Sequence, residues 1–346
     1  MGVSINKALA ATCAAAALVA VLAGCGGGQK EAPAAGGKIG GKIMIYTSIY
    51  PDLIDMGKPI IKKALPDLEV DWFQGGTEKV IAKMAGEMEA KKIAADALMV
   101  ADPSYYYTLK DQKLLLNYAS PAAKDVIIEK DKDGSWTPVR ISNMIIAYNT
   151  TKLKAEEAPK TWQDLTDPKW KGKIAMPNPL LSGTAFVAAA ALSEKYGWEY
   201  FDKLKANGLR VEEGNSAIQN KLLTGEYLAV MILEENILKM IETKKEPVKV
   251  VYPDDGVIVV PSPIGILSAS KNPAGAKAAV DWWLSKAGQE TIVTGWMHSV
   301  REDVRPPNGA PALKTFYGKA VKTDWIKFSK EKEKYKEEFR ARVMEK

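Results

Sequence analysis

Between residues 42 and 100 short β-rich runs alternate with helix-length polar segments, and this alternation constrains the fold more than any other feature of the chain. Residues 42–46 (KIMIY), bounded by Gly40-Gly41 and by Thr47-Ser48, read as a buried strand. A helix over residues 52–64 stops near Pro66, and residues 68–73 (LEVDWF) form a second strand. Gly75-Gly76 then allow close backbone approach ahead of a helix over residues 78–90, with Thr77 as its candidate cap. Residues 97–100 (ALMV) complete the pattern as a third strand. Strands separated by helices need crossovers, so the expectation is an α/β fold with a parallel sheet, and 346 residues suit two domains or lobes. Ligands bind such sheets beyond the carboxyl ends of the strands. That rule selects Thr47, Ser48, Gly76, Thr77 and Asp102. Of Tyr105, Tyr106 and Tyr107, at least one could face a ligand, although neighbouring positions cannot share one helix face and the simpler role is to cover the core.

The second half centres on residues 173–196, KIAMPNPLLSGTAFVAAAALSEKY. Ser182, Gly183 and Thr184 open an Ala-rich helix, whose first N–H groups lack intrahelical partners and sit at the positive end of the helix dipole. An anion can bind there, or Ser182 can act as an ordinary N-cap. Asn215 and Ser216 follow Gly214 at the start of another helix, with Asn215 a suitable N-cap. Residues 227–233 (YLAVMIL) read as a buried strand that ends at Glu234-Glu235-Asn236. These adjacent carboxylates either begin a solvated helix or face a ligand. Residues 136–149 form an extended run suited to a crossover between lobes, residues 248–252 and 257–260 read as strands, and Pro261-Ser262-Pro263 with residues 264–267 can return the chain to the first lobe. Residues 274–292 form a long helix. The charged residues 324–346 read as a solvated surface helix.

Much chemistry is missing. Residues 1–24 carry Lys7 and an apolar run from Ala8 to Leu22 too short for a membrane span, as in a signal peptide. Leu22-Ala23-Gly24-Cys25 resembles the bacterial lipobox, which implies that Cys25 is acylated and that residues 26–41 are a flexible tether. Cys13 would leave with the leader, so the mature domain would hold no thiol for a disulfide, metal or nucleophile. Loss of Lys7 takes the formal charge from +6 to +5, compatible with an anionic ligand. His298 is the single histidine and has no metal-ligand spacing; no phosphate loop, dinucleotide turn or nucleophile elbow is present. Basic and acidic residues are interspersed, against a nucleic-acid surface. Binding without catalysis, cofactor or metal is the economical reading, and the rival is a secreted hydrolase pairing Glu234 or Glu235 with Asp102.

Residues 42–46, 167–174 (DPKWKGKI), 182–186 (SGTAF), 214–216 and 225–230 (GEYLAV), together with the lipobox, resemble the extracellular solute-binding proteins of bacterial ABC transporters. The likeness covers nearly the whole mature chain and points to the ferric-iron, phosphonate and sugar-phosphate branch. It implies a two-lobed type II periplasmic-binding-protein fold, each lobe a mostly parallel sheet flanked by helices, with the ligand in the cleft between them. Hinge closure would then present the loaded form to a membrane permease. Lobe 1 is expected at 42–140 plus 256–300 and lobe 2 at 141–255 plus 301–346, in a monomer lipid-anchored in the periplasm or at the cell surface through Cys25. Ferric receptors of this branch place paired tyrosines after the strand that here spans 229–233, where this chain has Glu234-Glu235-Asn236. The resemblance therefore favours a phosphonate held by Ser48, Thr77, Ser182, Gly183, Thr184 and Ser216, with Glu234 or Glu235 facing an amine or hydroxyls at the other end. 2-Aminoethylphosphonate satisfies both ends, a sugar phosphate is the nearest competitor, and a sensory receptor feeding a membrane histidine kinase would look the same.

Overall fold

The structure, a computed structural model, describes residues 39–345, so the leader, Cys25 and most of the tether lie outside the described residues. The chain runs β1 (Gly41–Thr47), α1 (Pro51–Ala64), β2 (Leu68–Gln74), α2 (Thr77–Glu89), β3 (Ala97–Met99), α3 (Pro103–Asp111), β4 (Leu115–Leu116) and β5 (Thr137–Asn149). It continues through β6 (Ile174–Pro177), α4 (Gly183–Tyr196), α5 (Glu199–Ala206), β7 (Arg210–Glu212), α6 (Asn215–Thr224), β8 (Ala229–Leu233), α7 (Glu234–Lys244) and β9 (Val248–Val251). Last come β10 (Ile258–Leu267), α8 (Pro273–Leu284), α9 (Lys286–Thr294) and α10 (Trp325–Phe339).

The expected parallel strands form in both halves. β2 and β3 flank β1, so that Ile45 lies opposite Trp72 on one side and Ala97 on the other; β6 is likewise parallel to both β7 and β8. Two long strands join the halves. β5 and β10 run antiparallel to each other, β10 also pairs with β3 and β5 with β8, giving the order β2-β1-β3-β10-β5-β8-β6-β7. Every residue of β5 and β10 is buried. Pro261 and Pro263 divide β10 into two runs in the sequence, but the strand passes through both with a register shift between Ser262 and Pro263. A proline cannot donate to a ladder, and a bulge absorbs that loss.

The helices show why the local sequences are as they are. α4 is buried along Gly183 to Ser193 because β5 and β10 cover one side and α5 and α10 the others. A helix enclosed all round is apolar all round, and its run of alanines lets the neighbours pack close beside Phe186, Val187 and Leu192. Of the three tyrosines at the start of α3, Tyr105 and Tyr106 are buried, and the Tyr106 hydroxyl donates to Pro263 O at 2.6 Å, tying α3 to β10.

α10 differs from the solvated helix that its charge predicts. Trp325, Phe328, Tyr335 and Phe339 are buried, with ring centroids 6.4 Å apart for Phe186 and Phe328 and 5.3 Å for Phe201 and Phe339. Two lysines are also nearly enclosed. Lys332 Nζ lies 2.9 Å from Glu78 Oε1 and 2.8 Å from Asp102 Oδ2, and Lys336 Nζ lies 2.7 Å from Glu78 Oε2. Charge density hid an apolar stripe from the sequence reading, and the helix grips α4 and α5 with its aromatics but α2 and α3 with its lysines.

Candidate functional site

β1 delivers Thr47 and Ser48 to the carboxyl end of β3. Thr47 Oγ1 donates to Met99 O at 2.9 Å and accepts from Ile49 N at 3.0 Å, so it clamps a turn inside the fold. Ser48 Oγ instead accepts from Ala101 N at 3.2 Å and from Arg140 Nη2 at 3.1 Å. Arg140 stands in β5, buried, with Nη1 donating to Ser142 Oγ at 3.1 Å and Met297 Sδ at 3.2 Å from the same nitrogen. Its Nε has no hydrogen-bond partner among the described residues, nor has the hydroxyl of Ser262, its cross-strand neighbour in β10. Burial pulls the Arg140 pKa down and nearby Glu235 pulls it back up. A guanidinium held this way is costly unless an anion shares it. The sequence reading missed Arg140, although a lone cation inside a fully buried strand was a usable signal.

Glu234 and Glu235 open α7 and part company at once. Successive residues of β5 face opposite sides of the sheet, and each glutamate meets one of them. Glu234 Oε2 accepts from Asn143 Nδ2 at 2.6 Å and lies 3.0 Å from His298 Nε2, while Oε1 accepts from the Tyr252 hydroxyl. Both oxygens of Glu234 are thus already bonded inside the fold. Glu235 Oε1 accepts from Ser142 Oγ at 2.8 Å and so joins Arg140 and Ser48. Burial pushes its carboxyl up to about 7, against the opposing pull of its own N–H, Ser142 and Arg140. Across from it, the half-buried Tyr50 donates its hydroxyl to Asn236 Oδ1 at 3.2 Å, and Lys239 pairs with Asp52. These groups and Gly295-Trp296 line a cavity of about 40 Å³.

The remaining expected residues gather at helix starts. Ser182 caps α4, its Oγ accepting from Ala185 N at 3.4 Å and lying 3.1 Å from Thr184 Oγ1. A Cβ on Gly183 would stand 2.6 Å from Ala101 O and 2.7 Å from Thr77 Cγ2, so the start of α4 is pressed against the ends of β3 and α2. Gly76, not Thr77, is the N-cap of α2, and Thr77 is a buried first-turn residue. Gly214, not Asn215, caps α6, because Asn215 Oδ1 instead accepts from Leu233 N at 3.4 Å; Ser216 beside it is exposed. Asp102 caps α3 through Ser104 N at 3.0 Å and holds Lys332 with its other oxygen, so it is an anchor rather than one of two catalytic carboxylates. Among the described residues no group of three or more His, Cys, Asp or Glu is placed to hold a metal. Nor is any described helix long and apolar enough to cross a membrane.

Two strand-helix halves joined by a pair of long antiparallel strands, with polar side chains converging where they meet, define a two-lobed periplasmic-binding-protein fold. Residues 93–327 match the bacterial extracellular solute-binding proteins, and the chain belongs to that family. A periplasmic protein of Salmonella paratyphi A named for 2-aminoethylphosphonate binding is 28% identical over 251 residues, 69% of this chain and 72% of the relative. An Fe(3+)-binding periplasmic protein of Serratia marcescens is 27% identical over 269 residues, 69% of this chain and 77% of the relative. Among solved structures, the periplasmic binding protein AfuA from Actinobacillus pleuropneumoniae superposes with a TM-score of 0.78 at 24% identity, over 88% of this chain and 98% of that one.

Proposed function

We propose that this protein is the solute receptor of an ABC importer and captures a small anionic solute, a phosphonate with an amine such as 2-aminoethylphosphonate, by hinge closure about β5 and β10. The observation that carries the reading is the buried Arg140 guanidinium, bonded to Ser48 of one half, set beside Glu235 of the other, and with its Nε unpartnered. An anion would complete the coordination of Arg140, helped by Ser48, Ser142 and the N-terminal ends of α2 and α4. Glu235 would then be free to pair with the amine. Family membership supports the receptor role, and the 2-aminoethylphosphonate name of a relative supports the ligand class. The adjacent tyrosines expected of a ferric receptor are replaced by Glu234-Glu235, and Glu234 is fully engaged elsewhere. A sugar phosphate is the second reading, with Glu235 accepting from hydroxyls. The lobe limits and acylation of Cys25 belong to this proposal too.

The test is a thermal-shift series on the purified chain with 2-aminoethylphosphonate, ethylphosphonate, sugar phosphates and ferric citrate. A ligand at 100 times its Kd adds roughly 2.7 kcal/mol to the folded state, so 2-aminoethylphosphonate is expected to give the largest rise in Tm. If only ferric ion or an uncharged sugar raises Tm, the anion reading is wrong.

A further inference from the structure

The cavity beside Glu235 has features that a phosphonate does not explain. It lies between the first turns of α1 and α7, with Tyr50 and Trp296 as aromatic walls and Glu235 and Asn236 as acceptors. The charged groups that face it are Asp52, Glu235 and Lys239, with Arg140 behind Glu235. Asp52 is already paired with Lys239 at the rim, so the cavity is one positive charge short whenever Glu235 is ionised and Arg140 is occupied by an anion. Its volume, about 40 Å³, is a few times the roughly 10–15 Å³ that a single water needs. That suits an ammonium and its methylene but has no room for added methyl groups. The walls are aromatic, and a cation against a ring face is attracted by the ring quadrupole.

We propose that this cavity is a subsite for a primary ammonium group, and that it makes the receptor select primary amines over N-methylated ones. The amine donates to Glu235 and to the oxygens of Tyr50 and Asn236. Lys239, whose Nζ lies 5.8 Å from the centre of the Trp296 ring, closes the rim by reaching Asp52 from the opposite half. That exposed ion pair is cheap to break and remake as the ligand enters. Trp296 sets the size limit. Its backbone lies in the left-handed region, φ 59°, where glycine is preferred, so Trp296→Gly enlarges the cavity without straining the chain.

The inference rests on the receptor reading above, and one titration series separates the two. The full chain and its Trp296→Gly variant are titrated calorimetrically with 2-aminoethylphosphonate, its N,N,N-trimethyl analogue and ethylphosphonate. For the unmodified chain the trimethyl analogue should bind at least about 100-fold more weakly than the primary amine, since overpacking penalties accumulate with each methyl. Ethylphosphonate should be weaker by more than about 10-fold through loss of the ammonium contacts. Trp296→Gly should recover most of the trimethyl loss. Equal binding of the primary and trimethyl amines, or no recovery in the variant, places the amine outside this cavity and overturns the subsite while leaving the receptor reading intact. Absence of binding by all three phosphonates overturns the phosphonate reading on which the subsite rests, and with it the subsite.

Discussion

Gly183→Ala separates a hinge contact from an ordinary core contact. The added methyl would sit 2.6 Å from Ala101 O and 2.7 Å from Thr77 Cγ2, inside van der Waals contact with a backbone oxygen that cannot swing aside. Overpacking of this kind costs about 1–3 kcal/mol. If Gly183 and its neighbours belong to separate lobes, the chain escapes the clash by opening, so the penalty falls on the closed, ligand-holding form alone. At 1.4 kcal/mol per tenfold, Kd should rise between about 5-fold and 150-fold. The ligand-free urea midpoint and the ligand-free radius from small-angle scattering should both stay within error, because the open form carries no clash. Calorimetric titration with 2-aminoethylphosphonate reads the first quantity. An unchanged Kd with a lowered urea midpoint would show that α4, β3 and α2 move as one body and would refute closure at this contact.

Three further outcomes follow from the buried charges. Glu235 has a folded pKa of about 7 against an ordinary 4.5, so the native state binds its proton more tightly; the associated stability is present below pH 4.5, is lost as pH rises to 7, and is flat above. The loss is roughly 3 kcal/mol, and urea denaturation at pH 5 and pH 8 should show it in the unmodified ligand-free chain but not in Glu235→Gln; parallel pH profiles would refute it. Lys332→Met leaves buried Asp102 without its cation and should cost about 3 kcal/mol in chemical denaturation, most of it restored in the Lys332→Met/Asp102→Asn double variant; a loss below about 1 kcal/mol, or no restoration, would refute the pairing. Tyr252→Phe removes a donor from buried Glu234 and should lower stability by about 1–3 kcal/mol; a Kd that moves by more than about 10-fold would return Glu234 to the ligand site.

Elements set by local pattern were legible in the sequence, and elements set by distant partners were not. The alternation over residues 42–100 gave β1 to β3 with helices between them, because strand and helix periods are properties of short segments. Ser182 was legible as a cap, since Ser before an apolar run has few other uses. Thr77 and Asn215 failed as caps because the glycine before each took the position, Asn215 being drawn instead to Leu233 N across the fold. The separation of Glu234 from Glu235 depends on which face of β5 each meets, and no reading of two adjacent identical residues supplies that. Arg140 was visible but unweighted. Lys332 looked like one surface lysine among many until α10 carried it to Glu78 and Asp102.

The path of α10 also bears on the order of folding in time. Asp102 and Glu78 are made early in the chain, yet their counter-charges lie 230 and 254 residues later, at Lys332. β3 likewise waits for β10 to cover its open edge. Pairings this distant in sequence close slowly, since loop entropy must be overcome before they contribute. A chain arranged so cannot complete its first sheet while later residues are still missing, and it stays loosely structured until nearly all of it has been delivered. The last helix to be made is therefore also the one that settles the charges left open by the first sheet.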